Sequence, residues 1–386
     1  MRTVALLGST GSIGTQALDV IGRHRDRLDV VALAAGGAHP DLLVAQVREF
    51  SPRLVAVADP GAAAYVRQAL ADAGVGVEVT AGPDAATGAA AMGADVVLNG
   101  MTGSVGLGPT LAALESGSTL ALANKESLVA GGALVRAAMQ RPDQIVPVDS
   151  EHSALAQALR SGTHGEVDRL VLTASGGAFR GRTRAQLEHV TVEEALRHPN
   201  WDMGPVVTIN SATMVNKALE VIEAHLLFDV PMERIDVVVH PQSLVHSLVQ
   251  FWDGSTLAQV SPPDMRIPIA WGLSWPERLP HVAPALAWDA AQTWDFAPLD
   301  QEAFPAVALA RQAVAASALH PAVFNAANEQ AVAAFMRGQL PFLGIVETVR
   351  SVVEEYDAGT EVSLAAVDAA QQWARRTADA RIARQG

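Results

Sequence analysis

The sequence predicts an α/β protein with an N-terminal doubly wound parallel sheet, a central α+β segment and a C-terminal helical segment. Two observations predict the sheet: short apolar runs alternate with helix-like stretches, and a glycine-rich turn closes the first run. The third observation is a strong helical periodicity after residue 299. The predicted division is 1–149, 150–274 with a lid loop, a connector at 275–298, and 299–386.

The composition is that of a folded chain of 386 residues, because 49% of the residues are hydrophobic and 18% are charged. Its 41 acidic and 27 basic residues give a formal charge of −14, which argues against nucleic-acid binding. No uncharged apolar stretch approaches the roughly 18 residues that a membrane span needs. The N-terminal run is typical of a buried strand and not of a signal peptide. We therefore expect a cytoplasmic protein with neither a nucleic-acid nor a membrane partner.

Two residue types are informative because they are rare. The chain has no cysteine, which excludes disulfides, thiolate metal sites and the thioester chemistry of cysteine-dependent dehydrogenases. Among its 27 basic residues only Lys125 and Lys217 are lysines. Where arginine serves as the general cation, a position that carries lysine instead indicates a site that needs a compact ammonium group. The alternative is that the two lysines occupy exposed positions by chance.

Apolar runs bounded by turn residues predict the strands. Those of the first sheet are Val4–Leu7, Val30–Ala34, Leu54–Ala58, Val96–Leu98, Leu120–Ala123 and Ile145–Val148. The central segment has strand candidates at Leu170–Thr173, Ile235–Val239, Leu244–Phe251 and Thr256–Val260, and a helix candidate at Ser211–Phe228. The dipeptide Asp253-Gly254 predicts a hairpin between the last two of these strands.

Gly8, Gly11 and Gly14 form a G-x-x-G-x-x-G turn between the first predicted strand and the first helix. Glycines let the backbone approach a pyrophosphate, and the helix N-terminus offers free N–H groups, so the turn predicts a Rossmann-like dinucleotide site. NAD enzymes usually place an acid at the end of the second strand, but segment 32–38 has none. A small neutral turn leaves room for a 2′-phosphate, so we expect NADP rather than NAD.

Asp149 and Glu151 follow the last strand of the predicted sheet. In an extended segment residues i and i+2 point the same way, so the two carboxylates would converge with Ser150 turned aside. Hard oxygen ligands suit Mg²⁺ or Mn²⁺. A solvated acidic turn would explain the same pattern.

Asn216, Lys217 and Glu220 lie at i, i+1 and i+4 of the predicted helix. This spacing puts the amide, the ammonium and the carboxylate on one helix face, where they can serve a metal ion and a phosphate. A surface Lys–Glu pair is the alternative.

Two further runs are polar and rich in glycine or proline. Segment 173–177 follows a strand and offers the Ser175 hydroxyl and backbone N–H groups to an anion. Segment 198–205 is a predicted loop that carries Trp201 and Met203, which suggests a lid over a ligand. A loop that packs on its own core is the alternative.

Taken in order, these motifs resemble the 1-deoxy-D-xylulose 5-phosphate reductoisomerase family over essentially the whole chain. The segments that carry the resemblance are 8–14, 123–127, 148–152, 174–177, 198–204, 211–220 and 240–243. The resemblance implies an NADPH-dependent homodimer with a Rossmann-like N-terminal domain, a central catalytic domain and a supporting helical domain. It also implies a carbon-skeleton rearrangement of a ketose phosphate followed by hydride transfer.

The resemblance implies a role for each matching residue. The metal ligands would be Asp149, Glu151 and Glu220, and these would form the catalytic set together with Lys125 and His198. The substrate phosphate would be held by Ser175, Ser211, Asn216 and Lys217, and the sugar end by Lys125, Ser150 and His198. The substrate would also contact Glu151, Glu220, Trp201 and Met203. NADPH would contact Thr10, Gly11, Ser12, Ile13, Gly36, Gly37, Asn124, Glu126 and Gly204. The lid would carry Trp201 and Met203, with Pro263 and Met265 nearby.

The chain departs from the family pattern after Gly36, where the family often has a longer polar side chain and then Asn, and this chain has Gly37 and Ala38. The sequence leaves open whether the rearrangement is a retro-aldol/aldol path or a 1,2-shift, and whether the ion is Mg²⁺ or Mn²⁺. Two other functions remain possible at this point. One is a different NADP-dependent reductase of a small phosphorylated or acidic substrate, and the other is a catalytically idle dinucleotide sensor.

Overall fold

The computed structural model describes residues 1–201 and 203–385, and the chain folds into two compact units. The first unit consists of Met1–Ser127, Val135–Ser153 and Asp264–Pro284. The second consists of Leu128–Leu134, Ala154–Pro263 and the chain from Ala285 onward. The four-segment division predicted from the sequence is a different partition, and it stays a prediction.

The first unit is built on a parallel sheet of seven strands. The strands are β1 (Arg2–Leu7), β2 (Leu28–Ala35), β3 (Leu54–Val57), β4 (Glu78–Ala81), β5 (Val96–Asn99), β6 (Thr119–Leu122) and β7 (Ile145–Pro147). They lie in the order β4-β3-β2-β1-β5-β6-β7. All the strands are parallel, but the order in which the chain adds them to the sheet reverses between β1 and β5. Doubly wound sheets bind ligands at the carboxyl ends of the strands beside such a reversal.

The six strands predicted for this sheet are confirmed, with ends that differ by one or two residues. Strand β4 was not predicted. None of its residues is buried, so it has no apolar run to reveal it, and it pairs only with β3 at the edge of the sheet. The α/β fold class with a doubly wound sheet is confirmed.

The second unit holds a mixed sheet of five strands in the order β11-β10-β8-β9-β12. The strands are β8 (Val167–Ala174), β9 (Ile235–Val239), β10 (Val245–Phe251), β11 (Thr256–Val260) and β12 (Ala297–Pro298). The predicted hairpin between β10 and β11 is confirmed: Gly254 has a positive φ of 87°, and the Asp253 carboxylate accepts a hydrogen bond from the Ser255 backbone N–H at 2.8 Å.

Fifteen α-helices lie within the described residues. They are α1 (Ser12–Arg23), α2 (Pro40–Phe50), α3 (Pro60–Asp72), α4 (Ala85–Ala90), α5 (Leu107–Glu115), α6 (Lys125–Ala138), α7 (Ser150–Leu159), α8 (Val192–Ala195), α9 (Pro205–Ala212), α10 (Val215–Phe228), α11 (Arg266–Ser274), α12 (Ala306–Ala316), α13 (His320–Met336), α14 (Phe342–Glu355) and α15 (Leu364–Gln385). The helical segment predicted after residue 299 is confirmed as α12 to α15. None of these helices combines the length and the hydropathy of a membrane span.

The core of the first unit joins its sheet to two helices that are far apart in sequence. Buried Ile21 of α1 and Leu273 of α11 belong to one apolar cluster with Leu6 of β1 and Leu33 of β2. Helix α11 was not predicted, and it follows the strands of the second unit in the chain. Its burial on the first unit is a tertiary contact, which local periodicity does not specify.

The helix predicted over Ser211–Phe228 is wrong at its start. Helix α9 ends at Ala212 and α10 begins at Val215, and Met214 between them takes the left-handed backbone conformation with a φ of 62°. Methionine is a good helix former, so propensity does not reveal this break. The break puts Ser211 on one helix and Asn216, Lys217 and Glu220 on the next.

Candidate functional site

The glycine-rich turn lies between β1 and α1. Gly8 and Ser9 donate their backbone N–H groups to the Ala34 carbonyl at 2.8 and 2.9 Å, which ties the turn to the end of β2. A Cβ on Gly14 would lie 2.2 Å from the Gly8 carbonyl oxygen, so only glycine allows α1 to pack this closely on the turn. No side chain caps α1 at Gly11. The first N–H groups of the helix therefore suit an anionic oxygen such as that of a pyrophosphate.

Gly36 and Gly37 follow β2, where the sequence has no acid. Gly37 has a φ of 116°, and a Cβ there would lie 2.9 Å from the Cβ atoms of both Asp59 and Ala62. The neighbouring Asp59 carboxylate caps α3 by accepting a hydrogen bond from the Ala62 backbone N–H at 2.6 Å. The tight packing explains why glycine stands at position 37, and it leaves no side chain there to contact a 2′-phosphate.

Asn124 fixes the start of α6. Its Oδ1 accepts a hydrogen bond from the Ser127 backbone N–H at 2.7 Å, and its Nδ2 donates to the Met101 and Gly103 carbonyls at 2.7 and 2.8 Å. The side chain is fully buried, and protein groups occupy its donors and its acceptor. Asn124 therefore places the next two residues, Lys125 and half-buried Glu126, on the first turn of α6, and its own contact with a cofactor stays a prediction.

Lys125 contacts Asp149 within the first unit. The Lys125 Nζ lies 2.7 Å from the Asp149 Oδ2, and each side chain is 14% exposed. His152 Nδ1 lies 3.3 Å from the other carboxylate oxygen. Burial disfavours the charged carboxylate, but the Lys125 ammonium and His152 outweigh it and hold the pKa of Asp149 well below its usual range. The Asp149 carboxylate is therefore ionised at neutral pH, as a metal ligand must be.

The prediction that 149–151 is extended is wrong. Helix α7 begins at Ser150, so Glu151 lies in its first turn and its backbone N–H donates to Asp149 Oδ1 at 3.3 Å. The Ser150 hydroxyl also donates to Glu151 Oε2 and is not turned aside. A carboxylate that accepts N–H groups at a helix start favours the helical conformation over the extended one. Asp149 and Glu151 are thus placed by the start of a helix and not by strand alternation.

The predicted helix face on α10 is confirmed. Asn216 Nδ2 donates to Glu220 Oε1, and Lys217 Nζ contacts Glu220 Oε2. The Lys217 side chain is 5% exposed and that of Glu220 is 1% exposed. The surface-pair alternative is therefore excluded, because surface pairs are solvated and this one is buried. A buried ammonium beside a buried carboxylate is typical of a site for a charged ligand.

The Ser175 loop packs against the end of α9. Gly177 has a φ of 66°, and a Cβ there would lie 2.6 Å from the Ser211 carbonyl oxygen. This close approach brings Ser175, which follows β8, near Ser211. The packing of the Ser175 loop on the Ser211 backbone fits the predicted phosphate contacts, although the sequence alone does not show that the two segments touch.

His198 links the Ser175 loop to the predicted lid. Its Nδ1 accepts hydrogen bonds from the backbone N–H groups of Asn200 and Trp201 at 3.2 and 2.9 Å. The Nε2 therefore carries the proton, and it lies 3.0 Å from the Ser175 hydroxyl oxygen. Burial and the Arg180 charge lower the pKa of His198, which favours this neutral form. The ring can donate one hydrogen bond toward Ser175 or an anion bound there.

The predicted lid residues Trp201 and Met203 are half-buried, and Asp202 between them lies outside the described residues. The Trp201 indole packs edge-on to the His246 ring with centroids 6.3 Å apart. Gly204 precedes α9, and Thr208 in that helix donates its hydroxyl to the Met203 carbonyl at 3.2 Å. The segment therefore has ordered contacts at both ends, and its movement as a lid stays a prediction.

The predicted residues fall into two sets. The first unit carries Thr10, Gly11, Ser12, Ile13, Gly36, Gly37, Asn124, Lys125, Glu126, Asp149, Ser150, Glu151 and Met265, and the second unit carries Ser175, His198, Trp201, Met203, Gly204, Ser211, Asn216, Lys217, Glu220 and Pro263. Pro263 is exposed and Met265 packs against the core of the first unit.

Sequence reasoning assigned no role to several residues that hold these sets in place. Gln46 on α2 donates to the Ser9 carbonyl at 2.9 Å and so supports the glycine turn. Arg180 donates to the Ser175 carbonyl at 2.8 Å. His152 could have been found from its i+3 spacing to Asp149 at a helix start, whereas no local signal points to Gln46 or His246.

Comparison with known proteins gives consistent matches along the chain. The family model of 1-deoxy-D-xylulose 5-phosphate reductoisomerase matches residues 4–132, that of its C-terminal domain matches 145–228, and that of the DXP reductoisomerase C-terminal domain matches 260–377. The 1-deoxy-D-xylulose 5-phosphate reductoisomerase of Beutenbergia cavernae is 63% identical over 387 residues, which cover 99% of this chain and 98% of that protein. That of Streptomyces coelicolor is 59% identical over 384 residues, covering 98% and 92%.

Two solved structures share the fold. The 1-deoxy-D-xylulose 5-phosphate reductoisomerase of Zymomonas mobilis, in complex with NADPH, is 42% identical with a TM-score of 0.92 and covers 99% of each chain. A DOX-P reductoisomerase in complex with NADPH, fosmidomycin and magnesium is 36% identical with a TM-score of 0.92, and the match covers 99% of this chain and 98% of that one.

Proposed function

The chain belongs to the 1-deoxy-D-xylulose 5-phosphate reductoisomerase family, and from this premise we propose how its own residues carry out the family's reaction. The enzyme rearranges and reduces 1-deoxy-D-xylulose 5-phosphate to 2-C-methyl-D-erythritol 4-phosphate with NADPH and a divalent metal ion, a step of isoprenoid biosynthesis. One observation carries the residue-level proposal: each of the two lysines contacts a predicted metal ligand, Lys125 touching Asp149 and Lys217 touching Glu220. A catalytically idle dinucleotide sensor does not require lysine–carboxylate pairs at a metal site, so these pairs favour the enzyme.

We propose that Asp149, Glu151 and Glu220 hold the divalent ion. The donor set fits, because carboxylate oxygens are the ligands that Mg²⁺ and Mn²⁺ prefer, and the low pKa of Asp149 keeps one of them charged. When bound, the ion supplies Lewis-acid polarisation of the substrate's carbonyl and adjacent hydroxyl. Lys125 adds a positive charge beside it, where negative charge develops on oxygen during the rearrangement.

We assign the substrate phosphate to Ser175, Ser211, Asn216, Lys217 and His198. The resemblance implied that His198 contacts the sugar end, but its Nε2 lies 3.0 Å from the Ser175 hydroxyl oxygen, which favours a contact with the phosphate. Lys217 supplies the charge, the hydroxyl and amide groups supply directed hydrogen bonds, and His198 donates from Nε2. Binding energy from this remote group orients the reacting carbons. Ser150 is assigned to the sugar end. Trp201 and Met203 exclude water over the bound substrate.

NADPH is assigned to the glycine turn of the first unit. The uncapped N-terminus of α1 fits a pyrophosphate, and the contacting residues proposed are Thr10, Gly11, Ser12, Ile13, Gly36, Gly37, Asn124 and Glu126, with Gly204 from the second unit. When bound, the cofactor supplies the hydride that reduces the rearranged aldehyde.

NADPH should be preferred over NADH as the reductant. No acid stands at 36–38 after β2, and the neighbouring Asp59 carboxylate is engaged in capping α3. Comparing kcat/KM for the two reductants checks this expectation. Equal values would show that the turn at 36–38 does not distinguish the 2′-phosphate from the 2′-hydroxyl.

We also propose that the enzyme is a cytoplasmic homodimer. The strand β11 lies at the edge of the sheet and has exposed residues, among them Leu257, which is 42% exposed. Trp252, in the hairpin that precedes β11, is 64% exposed. An unpaired edge with apolar side chains favours pairing with a second copy. Sedimentation equilibrium of the purified chain is expected to give twice the mass of one chain, and Leu257→Lys is expected to shift the mass toward that of the monomer. A monomer mass for the unaltered protein would remove the dimer from the account.

The reaction is tested by following NADPH oxidation with 1-deoxy-D-xylulose 5-phosphate, with and without Mn²⁺, and by identifying the product by mass and NMR. We expect oxidation only when both the substrate and the ion are present. Oxidation of NADPH with another phosphorylated ketone but not with this substrate would favour the different reductase considered above.

A further inference from the structure

The H-P-Q-S segment, residues 240–243, is a rigid loop. The buried His240 ring accepts hydrogen bonds at Nε2 from the backbone N–H groups of Leu244 and Val245, at 3.2 and 3.1 Å. Its Nδ1 therefore carries the proton and donates to the Asp295 carbonyl at 2.9 Å. The ring also stacks on Phe296 with centroids 4.6 Å apart. These contacts fix the backbone of the loop without any partner from the lid.

The same loop also contacts the predicted lid through Asn200. The Asn200 side chain donates from Nδ2 to the Pro241 carbonyl at 2.5 Å and to the Ser243 hydroxyl at 2.9 Å. Ser243 is 8% exposed and has a backbone φ of 53°. Both hydrogens of the Asn200 amide are therefore bound to the loop at residues 240–243.

Asn200 is also part of the turn that holds His198. The backbone N–H groups of Asn200 and Trp201 both donate to His198 Nδ1, and the opposite ring nitrogen lies 3.0 Å from the Ser175 hydroxyl. A displacement of residue 200 would therefore release Nδ1, turn the imidazole away from Ser175 and move the Trp201 indole from His246.

We propose that Asn200 is a positioning residue for substrate binding, acting through His198 and Trp201. Its amide ties the lid to the rigid loop at residues 240–243 and so keeps the His198 Nε2 donor aimed at the phosphate. The inference rests on the proposed function, because it takes the assignment of His198 to the phosphate as given. Asn200 is itself exposed, so its substitution removes no core packing.

The test compares Asn200→Ala and Asn200→Asp with the unaltered enzyme. The aspartate has nearly the same size but no N–H to donate, and it faces two oxygens. For either variant we expect KM for the sugar phosphate to rise about tenfold, as for the loss of two hydrogen bonds, with a smaller change in kcat. We expect the substrate analogue fosmidomycin to dissociate about tenfold faster, and the Kd of NADPH to stay unchanged.

Two variants of the loop sharpen the result. Ser243→Ala removes one of the two acceptors and should give a smaller effect in the same direction, and the double variant with Asn200→Ala should be no worse than Asn200→Ala alone. Gln242→Ala is the matched control, since the Gln242 amide donates to the Thr293 carbonyl at 3.4 Å and to the Asp295 carboxylate at 2.6 Å, neither of which belongs to the lid. It should behave as the unaltered enzyme.

The outcomes separate the inference from the proposed function. Unaltered KM and fosmidomycin dissociation in both Asn200 variants, together with impaired binding in His198→Ala, would overturn the positioning role and leave the function intact. Unaltered binding in His198→Ala would instead remove His198 from the phosphate site. A melting temperature lowered equally by Asn200→Asp and Gln242→Ala, with equal losses of binding, would show a merely structural role and would also overturn the inference.

Discussion

Replacing Glu220 with glutamine is expected to lower kcat by at least about a hundredfold while leaving NADPH affinity nearly unchanged. Metal polarisation of a carbonyl contributes several kcal/mol to transition-state stabilisation, and each 1.36 kcal/mol is about tenfold in rate. Glutamine keeps the shape and one carbonyl oxygen of Glu220 but removes a charge from the proposed ligand set. The glycine turn proposed to bind the dinucleotide lies in the first unit and Glu220 in the second, so cofactor affinity should not change.

Glu223 offers a matched control on the same helix. It lies three residues after Glu220, about one helical turn away, and both residues are 1% exposed. Glu223→Gln makes the same chemical change at an equally buried position, but Glu223 is not assigned to the ion, so the kcat of this variant should stay within a few-fold of that of the unaltered enzyme. Steady-state kinetics with saturating NADPH and Mn²⁺ measures both variants. Equal losses in the two would indicate a general effect of charge on the helix and would argue against ligation by Glu220.

Lys217→Ala is expected to raise KM for the sugar phosphate by about ten- to a hundredfold with a smaller change in kcat. Hydrogen bonds to charged groups contribute about 1.5–3 kcal/mol, and a phosphate contact is made in both the ground and transition states. The ammonium is 5% exposed, so salt should screen its contact weakly. Removing it also leaves the buried Glu220 carboxylate with less compensation, so thermal unfolding must be measured beside the kinetics.

Two further variants show whether the ammonium itself matters. Arg184→Ala removes a cation of the same unit that pairs with Glu347 at the surface, and it should leave KM unchanged. Lys217→Arg keeps the charge but puts a planar guanidinium into a buried site, and it should not restore the KM of the unaltered enzyme. An unchanged KM in Lys217→Ala, or full activity in Lys217→Arg, would remove the special role of this lysine.

The strands of the first sheet were predictable because buried parallel strands are continuous apolar runs, as in Val30–Ala34. Strand β4, an edge strand without a buried residue, lacks that pattern. Helix α11 was missed for a different reason: its residues are apolar, but only the tertiary fold determines that they pack on the sheet of the first unit.

The candidate site was predictable where chemistry limits the residue type. The rarity of lysine marked Lys125 and Lys217, and both lie in ion pairs with predicted ligands. The conformation that delivers these groups was harder to predict. Asp149 and Glu151 are placed by the start of α7. Ser211 and Lys217 lie on separate helices because Met214, in the left-handed backbone conformation, separates α9 from α10. Hydrogen bonds between distant segments, such as Asn200 to Ser243, leave no local signal in the sequence.

The central claim is that Asp149, Glu151 and Glu220 hold one divalent ion that turnover requires. A calorimetric titration of Mn²⁺ into the unaltered enzyme and into Glu220→Gln, both with fosmidomycin present, tests it most directly. We expect one ion per chain for the unaltered enzyme and an affinity at least about tenfold lower for the variant, since a charged ligand is lost. The same affinity in both proteins would contradict the claim and would show that Glu220 is not a ligand.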